Sequence, residues 1–220
     1  MQQECGAFSI LARMSPYTSI RNIIFDFGGV LINLNYSLTS NAFNQLGFDI
    51  NRHFTQMQQS DLFNQLETGK IPPAVFYEEL RKLGGQHLTD EQLAHAWNAM
   101  ILDLPMERID MLRRLKAKYS LYLLSNTNQI HASAFVPYLN KLLGENVWPT
   151  FFDKVYYSHQ VGLRKPNREI YEYVLADAGI KAEESLFLDD AEKNLVAPST
   201  LGIQTILVKE QPVTELLKGF

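Results

Sequence analysis

The stretch that most constrains the fold runs from Asn22 to Leu31 and reads Asn-Ile-Ile-Phe-Asp-Phe-Gly-Gly-Val-Leu. Its apolar, β-branched start is typical of a buried strand, which delivers one carboxylate, Asp26, into a diglycine turn. Glycine lets the backbone bend sharply and approach a ligand closely. In open α/β sheets, ligands bind just beyond the carboxyl ends of the strands. Asp26 is therefore predicted at a functional edge, and an Asp that caps the N-terminus of a helix is the alternative.

Composition and charge narrow the class of protein. The 220 residues suffice for one domain plus an inserted module, and 46% of them are hydrophobic, so a sizeable core is expected. The net charge of −4, without a block of like charges, argues against nucleic acid or an anionic membrane as partner. The single cysteine, Cys5, fits a reducing compartment. Residues 1–19 look like a tail without signal-peptide features. We expect a cytoplasmic monomer or weak dimer.

Helix and strand signals predict two regions. Between residues 37 and 103 the apolar spacing is helical, and a proline pair at 72–73 and a capping-box pattern from Thr89 to Gln92 begin helices. We predict four or five helices there. Elsewhere strands and helices alternate, which predicts a Rossmann-like, doubly wound parallel sheet. The expected organisation is an α/β core of residues 20–36 plus 104–220, with residues 37–103 as an inserted helical cap.

The helix expected from Arg168 to Gly179 has a clear stop signal, since glycine commonly follows the last turn of a helix. Its apolar residues recur at helical spacing. We predict that Ile170, Tyr173 and Val174 face the sheet.

Polar side chains follow four predicted strands, and in a parallel sheet they would converge on one edge. In chain order they are Asp26, Ser125-Asn126, Arg164-Lys165 and Asp189-Asp190. Together they supply a carboxylate nucleophile, a hydroxyl, a cation and two further acids. A nucleophile, a hard-metal site and an anion clamp are the parts that phosphoryl transfer requires, and Mg²⁺ prefers oxygen ligands.

These motifs resemble those of the haloacid dehalogenase superfamily of aspartate-nucleophile hydrolases with a helical cap after the first strand. The resemblance extends from residue 20 nearly to the end of the chain. Its four motifs are Phe25-Asp26-Phe27-Gly28-Gly29-Val30, Leu124-Ser125-Asn126, Arg164-Lys165-Pro166 and Phe187-Leu188-Asp189-Asp190. The segments 124–128, 162–166 and 67–71, with Ile170-Tyr171, are similar to the bacterial α-glucose-1-phosphate phosphatase branch.

The resemblance implies catalytic and phosphate-binding roles. Asp26 would attack phosphorus and form an aspartyl-phosphate that water hydrolyses, and Lys165 would neutralise charge on the nucleophile and the transferring group. Ser125 and the amide of Asn126 would hold phosphate oxygens. The cap would close over a small phosphate ester, with sugar phosphates and especially hexose 1-phosphates as the expected substrates.

The resemblance also implies a magnesium site. Mg²⁺ would be held by the Asp26 carboxylate, the backbone carbonyl of Gly28 and the Asp190 carboxylate. Asp189 would act on the ion through a water molecule or through the other ligands.

Gly28 departs from the family's usual pattern, in which a second Asp two positions after the nucleophile serves as general acid and base. Such assistance is typically worth ~10²–10⁴-fold in rate. The favoured hypothesis is a leaving group that needs little protonation, such as the hemiacetal oxygen of a sugar 1-phosphate. The alternatives are a degenerate binding module with little activity and a metal-independent 2-haloacid dehalogenase, against which the acid pair at 189–190 argues.

Other polar and aromatic residues allow two interpretations each. His131 could replace the missing acid or simply lie on the next helix. Glu67 could face the site or end a helix, and Arg164 could touch phosphate or form a surface ion pair. Trp97 and Phe76 could pack on a sugar ring, although aromatic residues at helical spacing more often belong to a core.

Overall fold

A computed structural model describes residues 19–52 and 61–220, and the predicted tail with Cys5 lies almost wholly outside them. Five parallel strands of the described residues form one sheet in the order β3-β2-β1-β4-β5. They are β1 Asn22–Phe25, β2 Ser120–Ser125, β3 Lys154–Tyr157, β4 Ser185–Asp189 and β5 Gln204–Leu207. Because β1 pairs with both β2 and β4, Asp26 follows the central strand.

Helices cover both faces of this sheet. The described helices are α1 Tyr36–Gln45, α2 Asp61–Glu67, α3 Pro73–Leu80, α4 Asp90–Asn98, α5 Met106–Lys116, α6 Gln129–Leu143, α7 Ser158–Val161, α8 Arg168–Ala178, α9 Lys193–Thr200 and α10 Val213–Leu216. Ile23 and Phe25 of β1 pack in the cluster that includes α5, α6 and α10, whereas Ile24 packs with α8 and α9. The predicted doubly wound parallel sheet is confirmed. Of the helices in the described ranges, none combines the length and the hydrophobicity needed to cross a bilayer.

Helix α8 corrects one prediction. Tyr173 does not face the sheet, since it is 41% exposed, whereas Tyr171 is 1% exposed. At about 100° per residue, positions 170, 171 and 174 share one face and position 173 lies beside it. The Tyr171 hydroxyl also donates a hydrogen bond to the carbonyl of Asn194 at 2.6 Å, which allows it to be buried.

Helices α1 to α4 pack around a second apolar cluster, to which Phe43, Phe63, Phe76 and Trp97 contribute and which Ile130 of α6 joins. Their boundaries follow local chemistry. Helix α3 begins at Pro73, and α4 begins with a reciprocal capping box in which Gln92 and Thr89 bond to each other's backbone N–H groups. The four helices therefore pack together as one unit.

Two chain crossings connect this helical segment with the sheet, and they lie side by side. The N–H of Asn33 donates to the carbonyl of Asp103 at 2.9 Å, and the N–H of Leu102 donates back to Asn33 at 3.0 Å. Asn35 donates to Met100 at 2.9 Å. This short antiparallel ribbon holds the segment that leads into α1 next to the segment that follows α4.

Candidate active site

A buried lysine links two acids at the carboxyl end of the sheet. The Lys165 ammonium nitrogen lies 2.7 Å from Oδ1 of Asp26 and 2.7 Å from Oδ2 of Asp189. The three residues are 1%, 7% and 0% exposed, respectively. A carboxylate is costly to bury without a compensating charge, so the ammonium stabilises both acids.

The backbone after β1 fixes Asp26. Its N–H donates to the carbonyl of Leu188 at 2.8 Å, and its Oδ1 accepts the N–H of Phe27 at 2.6 Å. The carbonyl of Phe27 accepts the N–H groups of Leu31 and Ile32, which turns the chain sharply. The alternative interpretation of Asp26 as a helix cap is wrong, because the next helix begins only at Tyr36.

Asp189 and Asp190 differ in what surrounds them. Oδ1 of Asp189 accepts hydrogen bonds from the N–H of Ala191 at 2.8 Å and from Nδ2 of Asn194 at 2.9 Å, so both of its oxygens are engaged. Asp190 is only partly buried. One carboxylate oxygen from each of Asp26, Asp189 and Asp190 lies within 4.8 Å of the others. This oxygen donor set fits a hard divalent cation such as Mg²⁺.

The chain approaches Asp190 closely at Gly29. Gly29 has a φ of +75°, and a Cβ atom there would lie 2.4 Å from Oδ2 of Asp190. Only glycine combines this backbone conformation with such a short approach. The diglycine turn thus brings the first motif directly against the last one.

Burial and mutual charge shift the pKa values in this cluster. Burial raises the pKa of Asp26, with Lys165 opposing the shift and Asp189 and Asp190 adding to it. Burial and the neighbouring Asp189 raise the pKa of Asp190 to about 6. Burial alone would lower the pKa of Lys165, but Asp189 and Asp26 raise it above its usual value. Three acids lie around the buried ammonium of Lys165, and Lys193 acts on Asp190 as well, so the acids still outnumber the ammonium groups and the site would attract a further cation.

The side chain of Asn126 is bound to the lysine loop. Its Nδ2 donates to the carbonyl of Lys165 at 2.9 Å, and its Oδ1 accepts the N–H of Lys165 at 2.9 Å. This pair of bonds joins the end of β2 to the loop and holds the backbone of Lys165 in place. Ser125, 3% exposed, lies one residue earlier at the end of β2.

Arg164 and Glu67 join the helical segment to the sheet. Nη2 of Arg164 lies 2.9 Å from Oε2 of Glu67 on α2, and their side chains are only 16% and 10% exposed. Arg164 also donates to the side chain of Asn64. The pair is therefore enclosed at the site, not on the open surface.

Comparisons with known protein families and solved structures identify the family of this chain. The profile of the haloacid dehalogenase-like hydrolases matches residues 20–201. The chain belongs to this family. A D-ribitol-5-phosphate phosphatase from Bacteroides thetaiotaomicron is 34% identical over 191 residues, which cover 84% of this chain and 90% of that protein.

Solved structures of the same family are also similar. A family enzyme from Bacteroides thetaiotaomicron, crystallised with magnesium and inorganic phosphate, has a TM-score of 0.81 and 36% identity, covering 90% of this chain and 98% of that one. A haloacid dehalogenase-like hydrolase from Porphyromonas gingivalis has a TM-score of 0.80 and 35% identity, with coverage of 91% and 98%. The superfamily resemblance is confirmed, while the glucose-1-phosphate phosphatase branch stays a prediction.

Two cavities adjoin the acid–lysine cluster of this haloacid dehalogenase-like hydrolase. One is polar and contains Asp26, Lys165 and Asp190, and the other is mainly apolar and reaches Trp97 and Ser125. The residues that line both cavities are Gly28, Leu34, Tyr36, Glu67 and Asn126. A substrate that spans both would have its phosphate end in the polar cavity and the rest of the molecule in the apolar one.

Gly28 lies at this junction, and the side chain of Leu34 occupies the adjacent space. A Cβ atom at position 28 would lie 2.5 Å from Cδ1 of Leu34. The hydrolase therefore has no room for the second Asp of the family pattern unless Leu34 moves.

His131 is held as a neutral imidazole. Its Nδ1 lies 2.7 Å from Oδ1 of Asn98, and its ring stacks on Trp97 with 5.0 Å between ring centroids. Burial lowers the pKa of His131 to about 3. At neutral pH the ring has no imidazolium proton to replace the missing acid.

The sequence did not single out several residues around these cavities. Tyr36 lines both cavities, Asn194 supports Asp189, and Asn98 binds His131. Trp97 belongs to the helical core, as expected, yet it also forms a cavity wall. None of them lies in a motif, and only the packing of the helices over the sheet places them here.

Proposed function

We propose that this hydrolase is a Mg²⁺-dependent phosphatase that acts on a small, hydroxylated phosphate ester through an aspartyl-phosphate on Asp26. The observation that carries the proposal is the buried ammonium of Lys165 between Asp26 and Asp189, with Asp190 beside them. This arrangement combines a carboxylate nucleophile, a fixed positive charge and further carboxylate groups that could bind a metal ion. The similar D-ribitol-5-phosphate phosphatase and the magnesium- and phosphate-bound structure support it.

The proposed reaction has two steps at Asp26. Its Oδ1 is held by Phe27 and Lys165, so Oδ2 attacks phosphorus. The new bond joins Oδ2 to phosphorus, and the ester bond to the leaving alcohol breaks. The alkoxide takes a proton from water. A second water molecule then hydrolyses the aspartyl-phosphate, which releases inorganic phosphate and regenerates the carboxylate.

Metal and phosphate ligands follow from the same cluster. When bound, Mg²⁺ supplies positive charge that binds a phosphate oxygen and offsets the charge of the nucleophile. Asp26, Asp190 and the carbonyl of Gly28 are the proposed ligands. Asp189, with both oxygens hydrogen-bonded, orients Lys165 and the loop that follows β4.

The phosphate group would lie in the polar cavity on Lys165, next to Ser125, which lines the adjoining apolar cavity. Asn126 would contribute through its backbone amide, because its side chain already holds Lys165. Fixed donors of this kind stabilise charge that develops during transfer.

We further propose that residues 37–103 form the cap and residues 20–36 plus 104–220 the core. The apolar cluster centred on α1 to α4 and the paired crossings at Asn33 and Asp103 support this division. The ion pair of Glu67 and Arg164 would hold the cap against the sheet while water is excluded.

The proposed substrates are phosphorylated polyhydroxy compounds. Hexose 1-phosphates suit a site without the second Asp, because their leaving oxygen needs little protonation. The similarity to a D-ribitol-5-phosphate phosphatase adds sugar-alcohol phosphates to the class. A 2-haloacid substrate is disfavoured by the carboxylate cluster, which a metal-independent dehalogenase does not require.

Phosphate release from a panel of phosphorylated metabolites tests this function, first with Mg²⁺ and then with a chelator. The panel contains glucose 1-phosphate, glucose 6-phosphate and ribitol 5-phosphate, and halide release from a 2-haloacid is measured in parallel. We expect turnover on sugar or sugar-alcohol phosphates that is lost with chelator and restored by Mg²⁺. Chelator-resistant activity on the haloacid contradicts the proposal. No turnover by the folded protein favours the binding module.

Adding the missing acid should help most where space is made for it. Gly28→Asp alone is expected to raise turnover less than the double substitution, because the side chain of Leu34 must move away from the new Cβ. In a Leu34→Ala background, Gly28→Asp is expected to raise kcat for an alkyl phosphate by about 10²-fold, the lower end of general acid–base effects. The measurement is kcat for ethyl phosphate in the double variant and in Leu34→Ala.

p-Nitrophenyl phosphate is the control substrate, because its leaving group needs no proton. Its turnover should differ little between Leu34→Ala and the double variant. An equal gain on both substrates would mean that the substitution acts by some means other than proton transfer.

A further inference from the structure

His131 lies in the wall of the apolar cavity, and one of its two ring nitrogens makes a hydrogen bond. Its Nδ1 lies 2.7 Å from Oδ1 of Asn98, and a carboxamide oxygen can only accept a hydrogen bond. Nδ1 therefore carries the single proton of the neutral ring. The other nitrogen, Nε2, is left with a lone pair and can only accept.

The surroundings keep the ring neutral. His131 stacks on Trp97, which belongs to the apolar cluster of the helical segment. The ring bonds to the uncharged side chain of Asn98, and the backbone N–H of His131 donates to Oδ1 of Asn128, which is also uncharged. Burial in such surroundings disfavours the charged form of histidine.

The cavity that His131 lines is mostly apolar and adjoins the reaction centre. Ile32, Leu34, Met100 and Phe135 contribute to its walls, and Gly28 connects it to the polar cavity that contains Asp26. This apolar cavity would therefore hold the leaving alcohol of the substrate. An acceptor that is desolvated there and given no donor loses a hydrogen bond that it could make with water.

We infer that Nε2 of His131 accepts a hydrogen bond from a hydroxyl group of the leaving alcohol, and that Asn98 positions His131 by fixing its tautomer. This inference rests on the proposed function and names the chemistry by which the site selects its substrate. A site built to bind a hydroxyl group discriminates against the analogue that lacks it. The selected substrates are phosphate esters of polyols or sugars, and alkyl phosphates of the same size are poor ones.

Matched substrate pairs test the role of His131. The pairs are ribitol 5-phosphate with pentyl phosphate, and glucose 1-phosphate with cyclohexyl phosphate. His131→Leu removes the acceptor, whereas His131→Gln keeps an acceptor in the form of an amide oxygen. We expect His131→Leu to lower kcat/KM for the hydroxylated member by about 10- to 100-fold, the range for an unpaired buried partner, with little change for the alkyl member. His131→Gln should retain more of the selectivity.

Inhibition by inorganic phosphate serves as the internal control, since the phosphate site should be unaltered in both variants. An equal loss on both members of a pair would assign His131 a structural role and overturn the inference. Unchanged selectivity in His131→Leu would overturn it as well.

Binding separates this inference from the proposed function. Calorimetry on the Asp26→Asn protein, with and without His131→Leu, compares ribitol 5-phosphate with pentyl phosphate in the absence of turnover. Selective binding that depends on His131, together with no turnover by the unaltered protein, would overturn only the proposed function. Turnover without any such selectivity would overturn only this inference.

The tautomer itself can be measured. In ¹⁵N NMR spectra of the intact protein, Nε2 of His131 should have the chemical shift of an unprotonated nitrogen. Asn98→Leu should populate both tautomers and reduce the selectivity, and Asn98→Gln, which keeps an uncharged accepting oxygen, should retain more of it. A protonated Nε2 in the unaltered protein would overturn the inference.

Discussion

Replacing Asp26 with asparagine is expected to lower kcat for phosphate release by about 10⁴-fold or more, the scale on which hydrolases lose turnover without their nucleophile. The amide keeps the shape of the carboxylate but neither its charge nor its nucleophilic oxygen. The measurement is phosphate release at saturating substrate with Mg²⁺. Mass spectrometry of acid-quenched protein should detect a phosphorylated peptide containing Asp26 in the parent only.

The fold should survive Asp26→Asn, because Lys165 then pairs with Asp189 alone and the buried charges balance. Thermal unfolding checks this. Asp177→Asn is the matched control. Asp177 is an exposed acid that pairs with Lys154 at 3.0 Å and does not belong to the acid–lysine cluster. Turnover that persists in Asp26→Asn at the parental level would mean that the activity comes from another nucleophile or from a contaminant.

The reaction end of the site could be predicted because local patterns determine it. Asp26, Ser125 and Asp189 each come at the end of a buried apolar strand, and the alternation of strands with helices predicts that the strands are parallel. Parallel strands bring their carboxyl ends to one edge, so no long-range contact had to be guessed.

The substrate end could not be predicted in the same way. Glu67 and Trp97 lie on helices whose sequence signals are those of any amphipathic helix. Trp97 is buried in the helical core and also lines a cavity, and periodicity cannot distinguish these roles. The bond between Asn98 and His131 joins α4 to α6 and depends on how the helices pack on the sheet.

Gly28 shows another limit of prediction from the sequence. The sequence reveals that the second Asp is missing, but not that Leu34 occupies its space. This contact arises because the carbonyl of Phe27 accepts two N–H groups and folds the chain back on itself. Tyr173 illustrates a different error, the wrong choice of the buried face of a helix. A short helix allows two neighbouring choices of buried face, and the apolar pattern favoured the wrong one.

Replacing Lys165 with methionine is expected to lower both stability and turnover. Asp26 and Asp189 would remain buried without their shared cation, and breaking a buried ion pair in this way typically costs about 3–5 kcal/mol of unfolding free energy. Loss of a fixed charge at the reaction centre should lower kcat by about 10²–10³-fold. Denaturant unfolding and phosphate release measure the two effects.

The loss of stability should depend on pH. The ammonium opposes the effect of burial on the pKa of Asp26, so without it the pKa of Asp26 in the folded protein rises further above its unfolded value. The folded state then binds more protons than the unfolded state, so its relative stability increases as the pH falls. The difference in unfolding free energy between parent and Lys165→Met should therefore be larger near pH 8 than near pH 5.

A second substitution separates the two roles of Lys165. Asp189→Asn in the Lys165→Met background removes one unpaired charge and should recover much of the lost stability. Lys154→Met, which breaks an exposed pair, should cost no more than about 1 kcal/mol. If turnover recovered together with stability, Lys165 would act only as a structural counter-ion. Recovery of stability alone is the expected result, because the transferring phosphate would still lack its fixed positive charge.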